Sequence, residues 1–304
     1  METTSRPSRR PLVYLVVAVV LWGTSYAVTK SAYGSLPPMY VVWFRMLAAL
    51  VAFLPFLRVV KRPDYRRGDW KSLALTALFI PCCYYTCEGF AIAFTTSSQA
   101  GVVSAVMPLA VAIAAWAILR EHLTARVVVA AVVSVVGVAV LSLSDRSQAS
   151  APNPLLGNVL EMGAMIAASG STLVVKRLSS RYDPLLLTGL QMAVGSVFFA
   201  PLALASGPVA WASVPASAWL SVAYLGIGCG LGAFGLYNAS LGMLPASRAA
   251  LAVNLVPAVA LVTGWLALGE TMSALQVGAC VVILGVVVYA QLSGSPDRSA
   301  GEPG

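Results

Sequence analysis

Apolar residues along this chain fall into long blocks separated by short polar seams. A helix crosses the hydrocarbon of a bilayer with about 20 predominantly apolar residues. On that measure the pattern predicts ten spans, at 11–33, 38–57, 72–94, 97–119, 124–144, 155–177, 183–205, 216–241, 246–268 and 272–292. The seams include Leu36-Pro37-Pro38, the basic stretch from Arg58 to Lys71, Arg120-Glu121-His122-Leu123, Ser144 to Pro154, Ser206 to Pro215, and Gly269-Glu270. The alternation of barrel strands is missing, and unpaired backbone groups cannot face lipid, so each block is read as helical. The predicted fold class is all-α and membrane-integral.

Composition agrees: 59% of the residues are hydrophobic and 10% charged, against about 25% charged in soluble domains. A net charge of +8 raises the question of nucleic acid, and its distribution answers it. With the N-terminus placed in the cytoplasm, Arg6, Arg9, Arg10, Arg58, Lys61, Arg62, Arg66, Arg67, Lys71, Arg120, Arg126, Lys176, Arg177, Arg181, Arg248 and Arg298 fall on that side. Only Arg146 falls in an opposite loop, and Lys30 and Arg45 lie within spans. Such a bias sets orientation in a membrane. It predicts a multi-pass protein of the cell (cytoplasmic) membrane with both termini cytoplasmic, and no nucleic-acid partner.

Ser8-Arg9-Arg10 superficially resembles a twin-arginine export signal. The apolar run from Pro11 to Tyr33 is longer than a signal core and lacks a small-residue cleavage site, so these arginines are read as an anchor for the first span. The five cysteines, Cys82, Cys83, Cys87, Cys229 and Cys280, all sit in apolar segments. An odd number there is no disulfide framework, and no metal or other cofactor is expected.

The two halves of the chain match each other. At a shift of 146, Ser25 meets Ser171, Val28 meets Val174, Lys30 meets Lys176, and Pro38, Met46, Phe53 and Pro55 meet Pro184, Met192, Phe199 and Pro201. After a three-residue slip, Pro108, Trp116, Leu119 and Glu121 meet Pro257, Trp265, Leu268 and Glu270. Chance apolar matching does not hold Lys, Pro, Trp and Glu in one register. The predicted layout is a cytoplasmic segment 1–10, a first five-helix repeat 11–144, a connecting loop 145–154, a second repeat 155–292, and a disordered cytoplasmic tail 293–304. Five is odd, so the repeats are expected to enter the membrane with inverted topology, an arrangement that recurs in transporters with the substrate site near the midplane.

Several stretches look like a known family. Leu21-Trp22-Gly23 to Lys30 resembles the first-helix pattern of the EamA family in the drug/metabolite transporter superfamily. Ala91-Ile92-Ala93-Phe94-Thr95-Thr96-Ser97-Ser98 to Pro108, and Ala239-Ser240-Leu241-Gly242-Met243-Leu244-Pro245-Ala246-Ser247 to Pro257, resemble its third-to-fourth helix signature, once in each half. Leu268-Gly269-Glu270 with Gln276 and Gly278 looks like its closing motif, with Leu119-Arg120-Glu121 a looser copy. The resemblance covers roughly residues 11 to 292. It implies two inverted five-helix repeats around a central cavity and transport of metabolites, often export of amino acids or related compounds.

Ionisable groups inside a bilayer are costly and mark function by default. Lys30, Arg45, Glu88 and Glu161 all fall in the outer half of their predicted spans, at overlapping depths, and are read as one paired, buried cluster. Their repeat partners are mostly uncharged: Arg45 meets Gln191, Glu88 meets Tyr237, Glu161 meets Leu15. For Arg45 with Glu88 the readings are a structural or gating ion pair or a substrate contact, and for Lys30 snorkelling to headgroups or function. Glu88 or Glu161 is a candidate for a coupling proton. Trp22, Tyr26, Tyr84 and Tyr237 add aromatic surface; Tyr84 and Glu88 share a helix face at i, i+4, which suits an amine-bearing or aromatic solute. Gln191 and Asn254 complete the candidate substrate-binding or gating set, Asn254 doubling as an interhelical hydrogen-bonding group. Pro108 and Pro257 fall mid-span and are expected to kink or hinge spans four and nine. Glu121 and Glu270 are expected to start spans five and ten at the positive end of the helix dipole. Gly278 and Gly285, and Ser134 with Gly137, are expected to form close-packing faces.

The expected function is a secondary transporter of a small-molecule substrate working by alternating access among membrane lipids, as a monomer or a homodimer, with a proton as a candidate coupling ion. A facilitative channel or exchanger is the alternative. A membrane-embedded enzyme needs convergent His, Asp or Cys sets; the lone His122 in a loop and the lack of Asp deep in any span speak against catalytic residues.

Overall fold

A computed structural model of the chain describes residues 10–61, 63–119, 124–144, 151–241 and 253–292, and among these every regular element is helical. Eight helices are long and apolar enough to cross a membrane, and two shorter apolar ones, Val256–Leu268 and Ala274–Ala290, follow. The predicted ninth span begins at 246, and its first residues, like Glu121, His122, Arg146 and the tail, lie outside the described residues.

The first repeat comprises α1 (Arg10–Tyr33), α2 (Pro38–Phe53), α3 (Asp69–Ala77), α4 (Tyr84–Phe94), α5 (Ser97–Val103), α6 (Met107–Leu119) and α7 (Ala125–Leu143). The second comprises α8 (Pro154–Leu178), α9 (Pro184–Ala205), α10 (Ala216–Ala223), α11 (Phe234–Leu241), α12 (Val256–Leu268) and α13 (Ala274–Leu292). Helix starts follow local chemistry. Proline opens α2, α8 and α9, where its missing amide hydrogen is not needed. The Asn153 and Asp183 side chains accept from the Leu156 and Leu185 amides. Ser273 and Gln276 cap each other's amides at the head of α13.

Contacts between the connections sort them into two ends. At one, the Ser240 hydroxyl donates to the Pro11 carbonyl and Arg181 meets Asp69; this is the N-terminal end. At the other, the Asn153 amide donates to the Phe94 carbonyl, and Lys30 and Glu270 meet residues 92–98; this is the distal end. So α1 starts at the N-terminal end and α8, its repeat counterpart, starts at the distal end. Helices of the two repeats pack on each other: the equivalent pairs α2 on α9 and α7 on α13, and also α5 on α12. Met46, Tyr85, Met192 and Phe199 fill the core between α2, α4 and α9. Large apolar residues such as Val136, Val197, Leu204, Leu266 and Val281 are exposed on the outside, as lipid requires.

Spans three and eight are irregular at matching places. Between α3 and α4 the chain forms a π-helical stretch, Leu78–Cys83, broken at Ile80 (φ −130°, ψ 118°). Pro81 is the cause: proline carries no amide hydrogen and drives the preceding residue into the extended region. At the shift of 149 that aligns Glu88 with Tyr237, this stretch falls on 227–232, inside the π-helical Tyr224–Ala233 that joins α10 to α11. Span three is thus broken and span eight π-helical but continuous, and helices interrupted by Pro or Gly at corresponding positions of two repeats are where transporters of this architecture place their sites.

Two packing expectations change. A Cβ added at Gly278 or Gly285 meets nothing within 4 Å, so these glycines face open space and make no close-packing face. Close approach occurs across from them, at Gly137 against Ile283, beside the fully buried Ser134. Pro108 is the second residue of α6, directly after a 3-10 turn at Ser104–Val106, and Pro257 is the second residue of α12. Pro257 stands where its helix begins and costs it no hydrogen bond, whereas Pro108 lies within the helical run Ser97–Ala114, just after its 3-10 tightening.

Candidate functional site

The break at Pro81 leaves α4 a short separate helix, and its first turns carry Tyr84, Tyr85 and Glu88 into the protein. Arg45 of α2 reaches Glu88 at 3.2 Å, with both residues only 5% exposed. Tyr84 donates to the other Glu88 oxygen, closing the i, i+4 pair. The Arg45 guanidinium lies 4.5 Å from the Tyr85 ring centroid, so an aromatic face takes part of its charge. Its Nε is buried without a hydrogen-bond partner among the described residues.

Glu161 of α8 is fully buried at 0% exposure. Tyr26 of α1 donates to its Oε1 at 3.0 Å, and its Oε2 has no hydrogen-bond partner among the described residues. The three spans that carry Tyr26, Glu88 and Glu161 are thus joined around two carboxylates with one guanidinium. Below Tyr26, the Trp22 ring packs 5.1 Å from Phe234 and 5.2 Å from Tyr237, bringing the repeat partner of Glu88 to the same helix.

Other expected members are placed elsewhere. Lys30 is not in the cluster: its Nζ donates to the carbonyls of Ile92 and Thr95, both at 2.6 Å. The end of α4 presents unpaired carbonyls and a negative dipole pole, which draws the ammonium there. Gln191 reaches the Ser171 hydroxyl at 3.5 Å, between α9 and α8. Asn254 is buried just ahead of α12. Cys82 is buried while Cys83 is exposed, and no metal-binding group occurs among the described residues.

Sequence reasoning passed over a polar network one turn from Glu161. Asn158 donates to Gln99 Oε1 at 2.7 Å and to the Ser142 hydroxyl at 2.8 Å, and Thr95 donates to the same Gln99 oxygen at 3.2 Å. The signal was present: three uncharged polar residues in otherwise apolar spans, each expected to seek a partner helix. Glu270 was assigned to the head of its own helix, and the structure overturns that. Ser273 and Gln276 already cap α13, and the Glu270 carboxylate crosses to α5, accepting from the amides of Ser97 and Ser98, both at 2.8 Å, and from the Ser98 hydroxyl.

Known proteins share this organisation. The profile of the EamA-like transporter family matches residues 9–143 and again 155–291. YetK of Bacillus subtilis, named an uncharacterized transporter, is 25% identical over 94% of this chain and 88% of its own length. An uncharacterized transporter of Archaeoglobus fulgidus is 28% identical over 91% and 97%. A WAT1-related chloroplast protein of Arabidopsis thaliana is 27% identical over 90% of this chain and 67% of its own. A solved crystal structure matches 97% of this chain and all of its own with a TM-score of 0.67 at 19% identity, a likeness of fold. Two apolar helical repeats, each matched in full by one family profile, place this multi-pass membrane chain in the EamA-like transporter family.

Proposed function

We propose that the protein is a secondary transporter that exports a small metabolite across the cytoplasmic membrane, its two inverted repeats alternating around a central cavity, with both termini in the cytoplasm. The substrate class is an amine-bearing solute, an amino acid or a related compound. The observation that carries this reading is Glu161: a fully buried carboxylate with one oxygen that has no partner among the described residues, beside a Glu88 that already holds the cluster's guanidinium. Two carboxylates and one cation call for one more positive charge, and an uncompensated charge in a dry interior is expensive. Either the ammonium of the substrate or a coupling proton supplies it, and the two in turn give exchange of proton for substrate. Trp22, Tyr26 and Tyr84 offer aromatic faces to the body of such a solute.

The test begins with a deletion strain screened for metabolite sensitivity or altered excretion, which supplies the substrate. Counterflow of that labelled solute in proteoliposomes is then expected to show trans-stimulation, which a channel lacks. Glu161→Gln is expected to abolish pH-driven transport while the protein still inserts and runs as a single species. Normal pH-driven uptake by this variant would sink the proposed site.

A further inference from the structure

The chain reverses between spans three and four at Thr95–Thr96, at the distal end, and both helix ends there are capped by charges from elsewhere. Lys30 of α1 takes the last carbonyls of α4, and Glu270 takes the first amides of α5. Each charge meets the dipole pole of opposite sign. The Lys30 contact lies within the first repeat, whereas the Glu270 contact joins the two repeats. Beneath it α5 and α12, the distal halves of equivalent spans, are packed together: a Cβ on Gly101 would strike Ala260, and one on Gly264 would strike Ser98 and Glu270. Further along span four, α6 leaves α12 and packs against α8. The Tyr26–Glu161 pair lies directly below the α5–α12 contact, the Tyr26 ring packing beside Gly101 and Ala260, and Ser104, one turn on, donates to the Gly101 carbonyl.

The repeat partner of Lys30 reports on the opposite end. Lys176 occupies the same position in the second repeat and is exposed. One lysine clamps its helix end, while its equivalent is exposed and bonded to no helix end among the described residues. We infer that Glu270, bound to Ser97 and Ser98, is the latch of a distal gate formed by α5 and α12, and that the conformation described has this gate shut. Glu270 is then a gating residue that must let go of α5 before the Tyr26–Glu161 site can open distally. This inference rests on the alternating-access reading, but its test needs no substrate.

Ser104→Cys places a reporter under the gate, and Ser213→Cys, exposed in the connection to α10, identifies vesicles whose distal face is accessible. A membrane-impermeant charged maleimide is applied to right-side-out and inside-out vesicles, and labelling at position 104 is read by peptide mass spectrometry. Glu270→Gln in the Ser104→Cys background is expected to raise the distal labelling rate several-fold and leave labelling from the N-terminal face unchanged or slower. An unchanged rate, or an equal rise from both faces, overturns the latch and makes Glu270 a purely structural cap. Should Glu270→Gln lose its single peak in size exclusion, the pair Ser98→Cys with Glu270→Cys decides instead. Its disulfide is expected to abolish distal labelling of position 104 and reduction to restore it; labelling that persists with the disulfide demonstrated overturns the gate.

Discussion

The two ends of the molecule are tied by different chemistry. At the distal end, Lys30 and Glu270 bind backbone carbonyls and amides at helix termini. At the N-terminal end, besides the Ser240–Pro11 contact, the charged tie is between side chains: both terminal guanidinium nitrogens of Arg181 hold Asp69, at 2.6 and 2.8 Å, and Tyr182 donates to the same carboxylate at 3.0 Å. The first arrangement satisfies groups that water does not reach, so each lost bond leaves an orphan. The second joins the start of α3 to the connection after α8, where the Arg181 side chain is 21% exposed and salt can reach it. Between them stands the Arg45–Glu88 pair, deeper than either. Among the described residues the matched lysines differ, Lys30 bonded to a helix end and Lys176 exposed.

The largest effect is expected from the pair between the ends. Arg45→Ala leaves the buried Glu88 carboxyl without its cation, at a cost of about 3–5 kcal/mol. Glu88→Gln in the same chain removes that stranded carboxyl and is expected to return most of the stability, read as melting temperature in detergent. Both single variants are expected to impair transport while inserting normally. If the double variant is no more stable than Arg45→Ala, the ion pair is not what holds α2 to α4.

The lysine comparison comes next in size. Lys30→Ala strips a charged donor from two carbonyls and is expected to cost about 2 kcal/mol. Lys176→Ala, at the matched but exposed position, is expected to be neutral within about 0.5 kcal/mol. Equal losses from the two variants would mean that both ends are clamped alike, and the asymmetry would be gone.

Much of this was legible beforehand. Apolar blocks predicted the helices because lipid leaves the backbone few alternatives. The Lys, Pro, Trp and Glu matches predicted the two repeats that the family profile covers separately. Arg45 and Glu88 could be paired on cost alone, since a lone buried charge is the expensive alternative. Lys30 was misplaced for a physical reason: depth along a span does not say whether a long side chain turns to another side chain or to a nearby helix end. Glu270 was misplaced because Ser273 and Gln276 cap α13 in its stead, leaving its carboxylate free to cross to α5. The Asn158, Gln99 and Ser142 network was missed because short polar residues in apolar spans carry no charge to flag them.

The smallest expected effect belongs to the N-terminal tie, and it separates the two ends most directly. The guanidinium of Arg181 is kept charged by its hydrogen bonds to the Asp69 carboxylate, which raise its pKa above the ordinary arginine value, so the pair persists through neutral and alkaline conditions. Asp69→Asn removes the carboxylate charge and keeps one acceptor oxygen, so it loses the charge pairing together with the hydrogen bonds to the other oxygen. Its effect on melting temperature is expected to be modest in low salt and smaller in 1 M sodium chloride, because the Arg181 side chain is 21% exposed and salt screens it from that side. The loss from Lys30→Ala is expected to be the same at both salt concentrations, since its partners are backbone carbonyls packed away from water. A salt-independent loss at Asp69 would show that this end, too, is sealed by buried contacts, and the contrast between the two ends would then have to rest on Lys176 alone.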